Sequence, residues 1–261
     1  MKIAVAQISC SLGDPERNLS KVRDFSRAAK DAGAELIVFP EMTDTGYSMP
    51  VIQKHASHWK SGFVCGLQEI ARQLSIAIVS GVSERDGSSI YNSQILVDAK
   101  GDIVAKYRKT HLYAVAPVEE QTCFAPGDAF ASFALGDLRF GFSICYDLRF
   151  PELYRKLVTE KNVGVFIISS AWPFPRVEHF RVLAQARAIE NQSYVISSNR
   201  VGGDGDLWFC GSSSIIDPRG VIMAAASADR EELIYADVSR ELVQSVRQRV
   251  ESLAHRRPAL Y

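Results

Sequence analysis

The 261-residue chain has no excess of charge of either sign, because 30 basic residues balance 30 acidic ones. A net charge of zero excludes the strong overall field with which many proteins attract nucleic acid or an anionic membrane. We therefore expect a small-molecule partner, and neither nucleic acid nor a membrane. The chain also lacks a long apolar run at its start: polar Gln7 interrupts residues 1–8, so this segment predicts a first β-strand and not a targeting segment.

Cysteine is scarce, and no two cysteines form a CxxC pair. An odd count of five suits a disulfide framework poorly, so the sequence predicts a reducing, cytoplasmic location. The cysteines other than Cys145 are interpreted as small packing residues of the core, namely Cys10, Cys65, Cys123 and Cys210. The histidines other than His111 lack the spacing of metal ligands, so metal catalysis is disfavoured and no metal site is expected.

Apolar residues make up 47% of the chain, which is ample for the core of one domain over residues 1–261. Asp14 and Pro15 predict a helix start, and alternating strands and helices then predict an α/β fold. Gly101 suits a hairpin turn, so the sheets are expected to be mixed. Strands are predicted at 36–39, 76–82, 90–97, 103–107, 130–133, 138–145, 163–169 and 194–198, and helices at 63–74, near 151 and at 177–191.

Three apolar runs end in residues of reactive types: Glu41, Lys109 and Cys145. A strand that becomes polar at its last residue places that side chain at the edge of the sheet, where open α/β folds hold their ligands. The three side chains are therefore predicted to share one pocket. Each of them alone would also be explained as an ordinary loop or core residue.

Cys145 precedes a helix start at Pro151 and Glu152, so its thiol is predicted on a strand-to-helix turn that resembles a nucleophile elbow. A helix amino terminus and a nearby cation are expected to lower the pKa of this thiol. His111 offers an alternative partner, because Cys-His dyads are common in thiol hydrolases. No local motif supports that pairing, and His111 is expected to hydrogen-bond the backbone of its loop.

With these residues the chain resembles the nitrilase superfamily of carbon-nitrogen hydrolases along nearly its whole length. The resemblance lies in three blocks and one turn, which are Phe39-Pro40-Glu41, Tyr107-Arg108-Lys109-Thr110-His111-Leu112, Pro126-Gly127-Asp128 and Cys145-Tyr146-Asp147-Leu148-Arg149-Phe150-Pro151-Glu152. It implies an αββα sandwich with mixed sheets and a Glu-Lys-Cys triad.

The resemblance also implies a role for each group in the hydrolysis of a small amide, which releases ammonia and needs no cofactor. Glu41 is the implied general base and Cys145 the nucleophile that forms a thioester. Lys109 and the backbone N–H of Tyr146 are implied to stabilise the oxyanion. The family carries a second glutamate before its Pro-Gly turn, and Glu120 fits this position, where it orients Lys109 and the substrate amide.

Later segments resemble the branch that contains omega-amidases, which implies a dicarboxylate monoamide such as 2-oxoglutaramate or 2-oxosuccinamate as substrate. These segments are Ala171-Trp172-Pro173-Phe174-Pro175-Arg176, Ala186-Arg187-Ala188-Ile189-Glu190-Asn191-Gln192 and Asn199-Arg200-Val201-Gly202. An N-carbamoyl amino acid hydrolase, a deaminated glutathione amidase and a nitrilase use the same triad and stay open as alternatives, with the nitrilase least favoured. A regulatory or assembly module with a redox-sensing Cys145 is the non-enzyme alternative, which a complete triad disfavours.

A free substrate carboxylate needs a cation, and arginine can hold one with two parallel hydrogen bonds. Arg149 is the first choice for this role and Arg176 the weaker one, although a pairing of Arg149 with Glu152 or Glu190 would explain it equally well. Further residues are expected to line the substrate pocket, although core packing would explain aromatic side chains as well: Tyr47, Tyr146, Trp172 and Phe174.

The resemblance implies a homodimer or a higher homo-oligomer, joined through the helix after the nucleophile and the helix that contains residues 186–191. The charged tail, residues 240–261, predicts a helix and an arm. Such a helix usually has a solvated face, and docking of the arm on a partner subunit is the alternative.

Overall fold

The computed structural model describes residues 1–60, 62–116 and 118–260. The helices are α1 (Pro15–Asp31), α2 (Met49–His55), α3 (Gly62–Leu74), α4 (Pro151–Lys161), α5 (Val177–Asn191) and α6 (Arg240–Arg249). The strands are β1 (Lys2–Gln7), β2 (Leu36–Val38), β3 (Ala77–Asp86), β4 (Ser89–Val97), β5 (Ile103–Arg108), β6 (Ala114–Val115), β7 (Val118–Glu119), β8 (Ser132–Leu135), β9 (Leu138–Ile144), β10 (Val165–Ser170), β11 (Tyr194–Asn199), β12 (Val201–Asp204), β13 (Leu207–Cys210), β14 (Ser214–Ile216), β15 (Ile222–Ala225) and β16 (Glu232–Asp237). None of the described helices is both long enough and apolar enough to span a bilayer.

Most strands belong to two six-stranded mixed sheets. The first sheet has the order β16-β1-β2-β3-β4-β5, and the second has the order β15-β14-β11-β10-β9-β8. The central pairs β1–β2, β2–β3, β9–β10 and β10–β11 are parallel, and the outer pairs are antiparallel. The hairpin predicted around Gly101 joins β4 to β5, and a second hairpin, around Gly220, joins β14 to β15.

The main core lies between the two sheets. Side chains of a strand alternate between its faces, so Ile3 and Val5 of β1 belong to the cluster shared with the second sheet, whereas Ala4 and Ala6 face the helices. Val22 of α1 and the adjoining helix α3 cover the outer face of the first sheet, and α4 and α5 cover that of the second. These four layers confirm the predicted αββα sandwich with mixed sheets.

Local signals placed several elements correctly. The Asp14 side chain accepts a hydrogen bond from the N–H of Arg17 at 3.0 Å, so the predicted cap of α1 is confirmed.

Strand β16, which the sequence did not predict, pairs with β1 along its whole length. One cysteine is also placed differently: Cys65 is exposed on α3, so its interpretation as a core residue is wrong.

The helix of the charged tail docks on its own chain. Arg247 of α6 donates hydrogen bonds to the carbonyl oxygens of Gln192 at 3.2 Å and Val163 at 2.6 Å, and Val243 is buried beside it. Arg247 is therefore an anchor of the helix and not part of a freely solvated face.

Candidate active site

Glu41 lies just beyond β2 and is fully buried between the sheets. Its segment is fixed by β3, because the N–H of Gly81 donates to the carbonyl oxygen of Pro40 at 3.0 Å. The two backbones approach so closely that a Cβ on Gly81 would lie 2.5 Å from Cα of Glu41. Glycine at this position therefore allows the carboxylate to sit at the edge of the sheet.

Lys109 follows β5, as predicted, and is also buried. Its N–H donates to the carbonyl oxygen of Asn92 on β4 at 2.8 Å, and its own carbonyl oxygen accepts from the N–H of Gly127 at 2.8 Å. This backbone arrangement directs the side chain inward, where Nζ lies 2.9 Å from Oε1 of Glu41 and 2.9 Å from Oε1 of Glu120.

Glu120 opens a short 3-10 helix, Glu120–Thr122, and is fully buried. Besides Lys109, its Oε1 accepts the hydroxyl of Tyr47 at 2.7 Å, and its Oε2 accepts the N–H of Tyr113 at 2.6 Å. The structure thus places Glu120, the second glutamate that the resemblance implied, in contact with Lys109, and it places Tyr47 in contact with Glu120.

Cys145 is the first residue of the 3-10 turn Cys145–Arg149, which connects β9 to α4. Its φ of 44° lies in the left-handed region, which is unusual for a residue other than glycine. Such a turn between strand and helix is the geometry of a nucleophile elbow. The predicted helix start after Cys145 is present, with Pro151 as the first residue of α4.

The charges of this cluster act on one another. Burial raises the pKa of Glu41, which outweighs the opposite effect of Lys109, and Glu120 raises it further. Burial alone would lower the pKa of Lys109, but Glu120 and Glu41 raise it well above its ordinary value. Lys109 is therefore protonated, whereas the raised pKa of Glu41 allows its carboxylate to accept a proton.

The predicted lowering of the Cys145 pKa is wrong. Burial raises the pKa of this thiol well above its ordinary value, Glu41 raises it further, and Lys109 offsets only part of the increase. A helix amino terminus and a cation favour a lower pKa, but the fold adds burial and two carboxylates, which act in the opposite direction. The thiol therefore holds its proton until a base removes it.

A cavity opens beside Cys145. Its lining residues come from loops, from the nucleophile turn and from the short strands β7 and β13: Tyr47, Tyr113, Val118, Cys145, Tyr146, Arg149, Ala171, Trp172, Pro173, Arg176 and Leu207. Four of the five residues predicted to bind substrate are among them. The fifth, Phe174, is 63% exposed and does not line the cavity, so its predicted place in the wall is wrong.

Arg149 faces the cavity and does not pair with Glu190, which instead binds Arg187 at 2.7 Å. The guanidinium of Arg149 stacks 5.0 Å from the ring of Trp172, and its Nη2 lies 3.2 Å from Nδ1 of His179. Arg176 lies over the ring of Tyr113 at 5.9 Å. Neither arginine has a carboxylate within ion-pair distance in the part of the chain that the structure describes.

His111 does not serve the thiol. Its Nδ1 lies 2.8 Å from Oδ1 of Asp147, and its ring stacks on Phe150 with the centroids 3.8 Å apart. The expected bond to the loop backbone is thus replaced by one to a side chain. Within residues 1–60, 62–116 and 118–260, no cluster of His, Cys, Asp and Glu could hold a metal ion.

Sequence reasoning missed two groups that bind Glu41. The side-chain amide of Asn92 on β4 donates to Glu41 Oε1 at 2.6 Å and to Glu120 Oε1 at 3.1 Å. The N–H of Ala171, just after β10, donates to Glu41 Oε2 at 2.7 Å. A signal for Asn92 existed, because Asn92, Ser93 and Gln94 form a polar run inside an otherwise apolar strand.

The chain matches a known protein family over most of its length. The family model described as carbon-nitrogen hydrolase matches residues 2–248. The chain belongs to this family. The 2-oxoglutaramate amidase of Bacillus subtilis (strain 168) is 33% identical to this carbon-nitrogen hydrolase over 260 residues, which cover 99% of this chain and 98% of the relative. The omega-amidase NIT3 of Saccharomyces cerevisiae is 33% identical over 279 residues, which cover 100% of this chain and 94% of the relative.

Solved structures agree with this assignment. The crystal structure of Saccharomyces cerevisiae Nit3, a member of branch 10 of the nitrilase superfamily, superposes with a TM-score of 0.87 at 32% identity and covers 96% of this chain and 94% of its own. In a mutant of the Nesterenkonia amidase, the acetamide moiety of fluoroacetamide is added covalently at the active site cysteine. This structure superposes with a TM-score of 0.89 at 26% identity and covers 100% of this chain and 95% of its own. This carbon-nitrogen hydrolase is accordingly a thiol-dependent amidase.

Proposed function

We propose that this amidase is an omega-amidase, which hydrolyses the terminal amide of a dicarboxylate monoamide such as 2-oxoglutaramate to a dicarboxylate and ammonia. The observation that carries the proposal is the pair of arginines, Arg149 and Arg176, in the cavity of Cys145. Among the described residues that line this cavity there are two arginines and no carboxylate, which suits a substrate that is anionic at the end remote from its amide. The 2-oxoglutaramate amidase of Bacillus subtilis supports the same substrate class.

In the proposed first half-reaction, Glu41 takes the thiol proton of Cys145 while the sulfur attacks the amide carbon. The raised pKa of Glu41 suits it to this task, because a base works best when its pKa lies near the working pH. Nζ of Lys109 and the N–H of Tyr146 stabilise the oxyanion. Glu41 then gives its proton to the leaving nitrogen, the C–N bond breaks, and ammonia leaves behind a thioester.

In the second half-reaction, water attacks the thioester carbon and gives a proton to Glu41. The tetrahedral intermediate collapses with cleavage of the C–S bond, and Glu41 returns the proton to the sulfur of Cys145. The acid product leaves and the site is restored. Glu120 holds Lys109 in place throughout, because its Oε1 gives Nζ a second carboxylate contact, at 2.9 Å, besides that of Glu41.

The test is ammonia release by the purified wild type and by Cys145→Ala. The substrates are 2-oxoglutaramate, neutral aliphatic amides, N-carbamoyl amino acids, deaminated glutathione and nitriles. Cys65→Ala is the matched control, because Cys65 is exposed on α3 and away from the cavity. Preference for 2-oxoglutaramate that is lost in Cys145→Ala and kept in Cys65→Ala supports the proposal. Activity confined to another substrate contradicts the omega-amidase, and full turnover by Cys145→Ala contradicts the mechanism.

We also propose that residues 1–261 form one domain and that the protein is a homodimer. The pairing of β16 with β1 supports one domain, since it joins residues 232–237 to residues 2–7 in one sheet. Val182 and Ile189, 60% and 53% exposed on α5, support an interface on that helix. Sedimentation of a monomer alone would contradict the dimer, and two separate unfolding transitions would contradict the single domain.

We propose a cytoplasmic location, for which the five free cysteines of the structure are the support. Fractionation of cells that express the tagged protein tests this directly. Recovery of the protein from an extracytoplasmic fraction would contradict it.

A further inference from the structure

Asp147 is a fully buried carboxylate in the nucleophile turn, and the proposed mechanism gives it no role. It stands two residues after Cys145 and folds back on the start of the turn. Its Oδ2 accepts a hydrogen bond from the N–H of Ile144, the residue before the nucleophile, at 2.9 Å. The carboxylate thereby holds the backbone on both sides of Cys145.

The same carboxylate also holds the segment that carries Lys109. The hydroxyl of Tyr107 donates to Oδ2 at 2.7 Å. On the other side of the lysine, the N–H of His111 donates to Oδ1 at 3.1 Å, and the hydroxyl of Thr110 lies 3.3 Å from Oδ1. Residues close before and after Lys109 are therefore attached to one group of the nucleophile turn.

A ring contact strengthens this connection at the far end of the turn. The imidazole of His111 is nearly parallel to the ring of Phe150, with an angle of 10° between their planes. Phe150 directly follows the 3-10 turn that starts at Cys145. The lysine segment thus contacts the turn through Asp147 in its middle and through Phe150 at its end.

We infer that Asp147 is a positioning residue that sets the place of Lys109 Nζ relative to Cys145 Sγ. The inference rests on the roles proposed above for Lys109 and Cys145. Oxyanion stabilisation depends steeply on geometry, and a displacement of about 1 Å can cost about 100-fold in rate. Glu41 and Glu120 hold the ammonium itself, whereas Asp147 holds the backbone from which the lysine side chain extends.

A purely structural role is the competing explanation, in which Asp147 only caps its own turn through the N–H of Ile144. The two explanations differ at Tyr107. Tyr107→Phe removes the bond on the lysine side and leaves the contact with Ile144 intact. Tyr154→Phe is the matched control, since Tyr154 is equally buried and its hydroxyl lies 2.7 Å from Oγ of Ser143 on the helix side of β9.

The experiment compares kcat and KM of the wild type, Asp147→Asn, Tyr107→Phe and Tyr154→Phe, with the amide that the wild type hydrolyses fastest. That choice keeps the test valid if 2-oxoglutaramate proves not to be the substrate. Melting temperatures of all four proteins report on folding. We expect Asp147→Asn and Tyr107→Phe to lower kcat by about tenfold or more and to leave KM within about twofold. Tyr154→Phe should lower the melting temperature as Tyr107→Phe does and keep kcat.

Two results would overturn the inference. One is a kcat of Tyr107→Phe within about twofold of the wild type, and the other is an equal loss of kcat in Tyr107→Phe and Tyr154→Phe. If Asp147→Asn does not fold, the comparison of the two tyrosine variants decides alone. A rise of KM without a fall of kcat would also contradict positioning, because it would indicate lost substrate binding.

Discussion

Glu41 and Glu120 each place one carboxylate oxygen 2.9 Å from the same atom, Nζ of Lys109. Two carboxylates around one ammonium leave an excess of one negative charge among three buried side chains. The amide of Asn92 bridges the same two oxygens. Burial and this excess charge together make Glu41 a base that can both take and return a proton.

The first prediction concerns Glu120→Gln. The Glu120 charge raises the pKa of Glu41, so its removal lowers that pKa, and the acid limb of the kcat/KM profile moves to lower pH. We also expect kcat to fall by about 10- to 100-fold, because Lys109 loses a charged partner. Profiles of kcat/KM against pH for both proteins measure this. Glu119→Gln, which alters the exposed neighbour, should match the wild type, and an unmoved acid limb in Glu120→Gln would refute the coupling.

The second prediction is the pH dependence of stability in Glu41→Gln. The pKa of Glu41 is raised in the folded chain, so its contribution to stability is complete below the ordinary value of 4.5 and is lost as pH rises through the folded value. Glutamine does not titrate. It has one acceptor oxygen fewer for Lys109, Asn92 and the N–H of Ala171, which costs the variant stability at every pH.

The melting temperature of Glu41→Gln relative to the wild type should therefore rise as the pH rises from the ordinary pKa of 4.5 through the raised pKa of the folded chain. Calorimetry across this range measures the difference. A relative melting temperature that falls with pH would mean that the folded chain stabilises Glu41 as the anion, which is incompatible with a raised pKa.

How much of this site could be predicted depended on where each signal lies. Glu41, Lys109 and Cys145 end apolar strands, and a local pattern of this kind is visible without the fold. Asn92 was missed because a polar residue within a strand acquires its role only when the segments that carry Glu41 and Glu120 fold against it. The position of Phe174 was wrongly predicted because the sequence does not show whether a side chain two positions after Trp172 points into the cavity or into solvent.

The pKa of Cys145 could not be predicted for a related reason. This pKa is set by burial and by the charge of Glu41. Glu41 lies 104 positions before Cys145 in the chain, so no short stretch of sequence contains both residues. Strand β16 was missed for a similar reason. Its residues do not alternate clearly between buried and exposed, and the strand is defined by its pairing with all six residues of β1, which lie far away in the sequence.

The third prediction tests the close approach of Gly81 to Glu41. A Cβ in Gly81→Ala would meet Glu41 Cα at 2.5 Å and the carbonyl oxygen of Pro40 at 2.6 Å. Both are backbone atoms, so the whole Glu41 segment must move. We expect kcat to fall by about 100-fold or more and stability by about 1–3 kcal/mol. Gly164→Ala is the control, because its Cβ would make only ordinary contact with Val243 at 3.4 Å. Equal activity of the two variants would contradict the prediction.

The last prediction separates substrate recognition from structure at the two cavity arginines. In Arg149→Gln and Arg176→Gln, a charge-assisted hydrogen bond to the substrate carboxylate is lost, which typically costs about 1.5–3 kcal/mol, or about 10- to 100-fold in kcat/KM. The loss should appear with 2-oxoglutaramate and be absent with a neutral aliphatic amide, because only the first carries the carboxylate. Arg181→Gln, on the exposed side of α5, should leave kcat/KM unchanged with both substrates.

The comparison of substrates within one variant makes this test independent of folding. A variant that is merely distorted loses activity on both amides in the same proportion, whereas a variant that lacks the carboxylate contact changes their ratio. Arg149 stacks on Trp172 beside the nucleophile turn, and Arg176 lies over Tyr113 next to the Glu120 segment. A change of the ratio in only one variant therefore identifies which side of the cavity receives the carboxylate, and an unchanged ratio in both would contradict the omega-amidase proposal.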